Sequence, residues 1–258
     1  MSQKVAYRLP GEDNAQYVDL YNALYRLRML FLAADLDDEL SNQICGIMIY
    51  LTVEDAGQDI YLFINSPGGR MTCGLSVIDI MTTTKSRIHT LGMGMAASMA
   101  ALILAAGTPG CRIGFPHGTY MLHQPIGQLK GQAEDVIDEQ FEMDVLRKRC
   151  AHLYSEYTGE SVEQVLIDMK RDDFYHGREG LQYGSKGLFD VMGIEPSDKG
   201  SLNNTLPYRS QSQQLSENIV LPADDVPFVQ GETEEVYRFD PKNYEQQKPD
   251  VKRSLVHA

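Results

Sequence analysis

Ser98 closes the run Gly92-Met-Gly-Met-Ala-Ala-Ser98, after a predicted strand and at the opening of a predicted helix. A helix N-terminus presents unpaired N–H groups and positive potential, which favour negative charge on an attacked carbonyl oxygen. The small neighbours Gly94, Ala96 and Ala97 leave room for a substrate backbone. A nucleophilic serine would gain from both. The same position suits a plain N-cap, and this segment taken alone favours that reading. The run does not match G-x-S-x-G, so it lends no support to an α/β-hydrolase arrangement. His123 ends the predicted strand Tyr120-Met-Leu-His and precedes Gln124-Pro125. A histidine at a strand end is placed to act as a base, although a lone histidine is more often structural. Asp172 lies in Asp168-Met-Lys-Arg-Asp172-Asp173-Phe174, a charged stretch whose plainer reading is a solvated helix end. Asn65-Ser-Pro-Gly68-Gly69 is a turn by composition. Its glycines could also expose backbone N–H groups as half of an oxyanion hole. None of these features decides the chemistry alone.

The elements that must position these residues follow from hydrophobic periodicity. Ile60-Tyr-Leu-Phe-Ile64 is a short β-branched and aromatic run, a buried strand that ends at the Asn65–Gly69 turn. Leu75 to Met81 reads as helix, Arg87 to Leu91 as strand, Ser98 to Ala106 as an alanine-rich helix, and Thr119 to His123 as strand. Upstream, apolar residues recur at helical spacing from Tyr17 to Leu32. A further helix is expected from Asp37 to Leu51, with Asp37 or Asp38 as its cap. Short buried strands alternating with helices indicate an α/β layered fold. Gln132 to Tyr157 is an amphipathic helix of unusual length, which either projects from the domain or lies across the core. The first ten residues, with Pro10-Gly11, read as a flexible arm. Past Gly193 the chain becomes rich in Pro, Ser, Asn, Gln and acidic residues and lacks a core of its own. The expected organisation is an arm over 1–16, one domain over 17–195 and an extension over 196–258.

Bulk composition narrows the function. A net charge of -13 without a Lys/Arg cluster excludes a phosphate-binding face, and so nucleic acid as a partner. The four cysteines are widely spaced with no CxxC pair, which reads as free thiols in a reducing compartment. No stretch approaches the roughly 20 apolar residues that span a bilayer. Met1 to Pro10 lacks the apolar core of a secretory signal. A soluble, intracellular chain with no membrane partner, metal or cofactor of its own is expected.

Taken together, the motifs are informative. Gly-Met-Ala-Ala-Ser98-Met, Met-Leu-His123-Gln-Pro, Arg171-Asp172-x-Phe174 and Asn-Ser-Pro-Gly-Gly69 occur in one order. Leu104-Ala-Ala-Gly107, Gly131-Gln-Ala133, Tyr157-Thr-Gly159, Tyr183-Gly184 and Leu188-x-Asp190 accompany them. From about Arg8 to Gly193 the chain resembles the Clp protease proteolytic subunit. Its Tyr7-Arg-Leu-Pro-Gly-Glu12, Val18-Asp-Leu-Tyr-Asn22 and Leu24-Tyr-Arg26 look most like the plastid and cyanobacterial branch. That branch also holds inactive sister subunits of the ClpR type, yet all three matching triad positions are kept here.

The resemblance implies a ClpP/crotonase-like layered fold with a protruding handle, the Gln132–Tyr157 helix. It implies a serine endopeptidase with Ser98 as nucleophile, His123 as base and Asp172 orienting the imidazole. Backbone N–H groups of Gly68 and Met99 would bind the oxyanion. Heptameric rings of such subunits would stack through their handles into a closed double-ring chamber. An Hsp100-class unfoldase would feed it unfolded polypeptides. The chain has no G-x-x-x-x-G-K-[ST] motif, so ATP chemistry would belong to that partner. Tyr61 and Phe63 match positions that help form its docking pocket, with ordinary strand burial as the alternative. The implied location is the chloroplast stroma, or the cytoplasm of a cyanobacterium. Lys170 replaces a usual acidic residue beside Arg171, and the extension is long; both suggest a specialised subunit of a mixed ring. A mainly structural ring subunit and a crotonase-type CoA-ester enzyme are the competing readings, and the intact triad argues against both.

Overall fold

A computed structural model describes residues 3–7, 16–127 and 131–193 of the chain. Strands β1 (Lys4–Tyr7) and β2 (Gln16–Asp19) pair antiparallel, with Lys4 opposite Asp19 and Tyr7 opposite Gln16. Part of the expected N-terminal arm is therefore a paired strand. Tyr7 is buried, and the Arg26 guanidinium lies 5.3 Å from the centre of its ring.

The long helix expected over Tyr17–Leu32 is realised only in its middle, as α1 (Leu20–Arg26), followed by β3 (Met29–Leu32). Asp19 starts the helix by accepting a hydrogen bond from Tyr21 N. Arg28 stops it with a φ of 60°. Its guanidinium turns inward and donates to the carbonyls of Leu51 at 2.8 Å, Asp55 at 2.9 Å and Asp59 at 3.2 Å. The periodicity missed this because a buried, fully bonded arginine overrides helical spacing.

Helix α2 (Asp38–Glu54) is capped by Asp37, whose carboxylate accepts from Leu40 N, as expected. Strand β4 (Ile60–Ser66), helix α3 (Met71–Thr83), strand β5 (Ile88–Ala97) and helix α4 (Met99–Ala105) follow. Strand β5 runs six residues past the expected end at Leu91. Strands β6 (Arg112–Gly114) and β7 (Thr119–Leu122), helices α5 (Ala133–Thr158) and α6 (Val162–Asp168), strand β8 (Asp173–His176), helix α7 (Arg178–Gln182) and strand β9 (Val191–Met192) complete the described fold.

The sheet runs β3-β4-β5-β6-β9, parallel throughout. The far end of β5 leaves β6 and pairs with β7, Met95–Ala97 against Thr119–Met121, and β8 then adds antiparallel to β7. One core cluster joins the sheet to its helices through Leu62, Ile64, Val77, Leu102 and Ile103. A second, smaller cluster of Tyr61, Leu91 and Ile113 takes in Met29 and Phe63. Tyr61, for which strand burial is the alternative to a docking-pocket role, is 8% exposed and stacks on His89 at 4.7 Å.

Helix α5 is the handle. Its buried residues are Cys150, Ala151, Tyr154 and Thr158, all in its last turns. Toward the N-terminus, Ile137, Phe141 and Val145 form an exposed stripe one helical turn apart. The extension expected from residue 196 lies outside the described residues.

Candidate active site

Ser98 sits where β5 hands over to α4. Its N–H donates to Met121 O at 2.8 Å, which carries the β5–β7 pairing one residue past the strand. The chain then turns sharply through φ 56° and ψ −123°. Such a conformation costs a residue with a Cβ about 1–3 kcal/mol and persists only where its surroundings impose it. Ser98 is the N-cap of α4 by position, but its side chain makes no capping bond. Oγ lies 2.8 Å from His123 Nε2 instead. The plain N-cap reading therefore fails on geometry.

His123 follows β7 directly and is held by its neighbour. Gln124 N donates to Met169 O at 2.7 Å, and Gln124 Nε2 reaches Lys170 O at 3.4 Å. These bonds tie the histidine loop to the end of α6. Asp172 precedes β8 and presents Oδ1 3.4 Å from His123 Nδ1. That is long for a strong hydrogen bond. The imidazole is 15% exposed and the carboxylate 64%, so the carboxylate is the solvated end of the line. The three side chains nominated from the sequence thus meet in one row.

The Asn65–Gly69 turn arrives from β4. Gly68 adopts φ 94°, and a Cβ built on it would stand 2.6 Å from Ala97 O, 2.9 Å from Ser98 Cβ and 3.1 Å from Met99 N. Only glycine fits that position. The turn is pinned from behind, since Leu36 N donates to Gly68 O at 2.8 Å and Arg70 N to Leu36 O at 2.9 Å. Gly68 and Met99, expected as the oxyanion donors, are therefore side by side. Met99 is the first residue of α4, where the N–H has no intrahelical acceptor. The Gly68 N–H donates to Ser66 Oγ at 3.1 Å, and that hydroxyl donates to Ala34 O at 2.6 Å. An incoming oxyanion would share or replace the Gly68–Ser66 bond.

A cleft beside Ser98, Met99 and His123 is walled by Met71, Leu102, Pro125, Cys150, Tyr154 and Met169. It is a small, mostly apolar recess beside the serine. Sequence reasoning missed these walls, which come from α3, α4, α5, the loop after β7 and the end of α6. Burial pushes the Cys150 thiol up to about 11, against a smaller opposing effect of Arg149. It stays a neutral thiol and offers no rival nucleophile.

Comparison with known proteins identifies the family of the chain. The family model described as Clp protease matches residues 11–190. A protein of Chlorella vulgaris is 51% identical over 192 residues, covering 74% of this chain and 94% of its own. One of Ostreococcus tauri is 51% identical over 181 residues, 70% of this chain and 90% of its own. One of Oltmannsiellopsis viridis is 49% identical over 181 residues, 70% and 93%. All three bear the name ATP-dependent Clp protease proteolytic subunit. With the family model spanning well over half its length and relatives this similar, the chain belongs to the Clp protease family of peptidases.

Proposed function

We propose that the chain is a serine endopeptidase in which Ser98 attacks the scissile carbonyl, carried by the 2.8 Å contact between its Oγ and His123 Nε2. His123 takes the hydroxyl proton as the C–O bond forms. It returns that proton to the leaving amine as the peptide C–N bond breaks, leaving an acyl-enzyme. Water, activated by the same imidazole, then releases the acid and restores the serine. Asp172 holds Nδ1 protonated and stabilises the imidazolium. The N–H groups of Met99 and Gly68 receive the oxyanion, which in such sites supplies on the order of 3 kcal/mol per donor.

The relatives' shared name speaks of ATP dependence and of a subunit. The proposed setting follows from it: a heptameric double ring closed through the α5 handles, in partnership with an Hsp100-class ATPase that delivers unfolded chains. The exposed Ile137, Phe141 and Val145 stripe supports a handle that meets another subunit. The green-algal relatives support a chloroplast location. No cofactor of the chain's own enters the mechanism.

The test is Ser98→Ala in the assembled complex. Turnover of a short fluorogenic peptide should fall by the whole share of this subunit while native mass spectrometry shows an unchanged assembly. Undiminished turnover by a ring in which Ser98 is the sole intact candidate would overturn the reading.

A further inference from the structure

Tyr154 stands on α5 directly behind the serine, 2% exposed. Its hydroxyl donates to the carbonyl oxygen of Ser98 at 3.1 Å. The same oxygen accepts from Ala101 N at 3.1 Å and Leu102 N at 3.2 Å. Those two donors belong to α4 and turn with it. Tyr154 belongs to another helix, so its bond ties this one peptide to the rest of the fold.

The tie bears on the oxyanion site. In a planar trans peptide the C=O and N–H point in opposite directions, and no peptide among the described residues is cis. Whatever fixes the Ser98 carbonyl therefore fixes the Met99 N–H. Ser98 holds a sparsely populated backbone conformation, φ 56° and ψ −123°, so the peptide that follows it needs outside support. The tyrosine hydroxyl is also unexplained by packing. A phenylalanine would fill the same space, and a buried O–H is costly unless it has a partner. Its partner is the carbonyl of the nucleophile's own residue.

We propose that Tyr154 is a positioning residue, whose hydroxyl clamps the Ser98–Met99 peptide and so aims the Met99 N–H at the oxygen of the attacked carbonyl. This rests on the reading of Ser98 as nucleophile and Met99 as oxyanion donor. Burial, with Cys150 and Tyr175 adding to it, holds the Tyr154 pKa well above the ordinary value, so the proton that makes the clamp is retained. The ring also walls the cleft beside Ser98.

The experiment compares Tyr154→Phe with the parent as full-length chains in the assembled protease. With a short fluorogenic peptide, kcat falls about tenfold and KM stays within about twofold, since an oxyanion interaction is made chiefly in the transition state. Affinity for a peptide aldehyde, whose serine adduct carries the tetrahedral oxygen, weakens by the same factor. Affinity for a non-covalent product peptide does not change. A merely structural tyrosine would lower the melting temperature or raise KM without this split. Tyr154→Met removes the donor and also alters the cleft wall, so it is read through kcat and aldehyde affinity relative to product-peptide affinity should the phenylalanine variant assemble poorly. An unchanged kcat in either variant, or in Tyr154→Phe a loss carried by KM, overturns the proposal. Ser98→Ala runs alongside: turnover retained there overturns both readings, whereas turnover lost there and undiminished in Tyr154→Phe overturns the clamp alone.

Discussion

Leu122 lies opposite Asp173 in the antiparallel β7–β8 pair, and one step along the same register His123 meets Asp172. The His123–Asp172 contact is thus a consequence of strand pairing. Gln124, bonded to Met169, closes the register at that end. Nothing in the local sequence of either strand announces the partnership, because a register is a property of two segments at once.

Replacing Asp172 by Asn keeps the register and removes the charge. The imidazole would lose both its tautomer preference and its counter-charge. With the carboxylate 64% exposed and 3.4 Å away, water supplies part of what is lost. The loss in kcat should therefore lie toward the lower end of the triad range, about 10²- to 10³-fold. Peptide hydrolysis by the assembled variant, with melting temperature as a control, measures it. A loss below about threefold would remove Asp172 from the triad.

How much of this was readable beforehand differs by element. Helix α2 with its Asp37 cap, strand β4 and helix α3 follow from local signals, since capping and apolar periodicity act within a few residues. The far half of β5 was hidden, because Gly92 and Gly94 weaken a strand signal and the pairing there is with β7. The stretch Tyr17–Leu32 misled because the inward turn of Arg28 depends on the carbonyls of Leu51, Asp55 and Asp59, far along the chain. The nominated site residues came from several motifs taken together and from the family resemblance that those motifs carry. Met71, Cys150, Tyr154 and Met169 stayed invisible, as each reads locally as an ordinary helix residue.

Gly68→Ala tests the turn that flanks the serine. The new Cβ would press on Ala97 O at 2.6 Å and Ser98 Cβ at 2.9 Å, at a φ of 94° that L-residues avoid. The backbone must shift, and with it the Gly68 N–H. Stability should fall by about 1–3 kcal/mol and peptide turnover by about 100-fold or more. Thermal melts and peptide hydrolysis on one preparation report both numbers. Near-parent turnover would show that the turn contributes no oxyanion donor.

The ion pair of Arg112 and Asp190 contributes to the acid sensitivity of the fold. Asp190 accepts from Gly110 N at 2.7 Å, Arg112 N at 3.1 Å and Arg112 Nε at 2.9 Å. Burial acts to raise its pKa, but the bonds and charge of Arg112 outweigh burial and hold it below the usual carboxylate value. A lowered folded pKa means stability that is present above the unfolded value, about 3.9, and lost as pH falls through the folded one. Asp190→Asn leaves the Arg112 guanidinium buried without a counter-charge, which should cost about 3 kcal/mol near neutral pH. Its melting temperature should also change less than the parent's on acidification below about pH 4. Parallel curves for the two proteins would contradict the assignment.

The central claim is that Ser98 is the nucleophile and His123 its base, and covalent labelling tests it most directly. The assembled protein is treated with a fluorophosphonate, digested and mapped by mass spectrometry. The adduct should fall on Ser98, and its rate of formation should drop at least about 100-fold in His123→Ala, which removes the base. An adduct on another serine, or labelling of Ser98 at an undiminished rate without His123, would contradict the account.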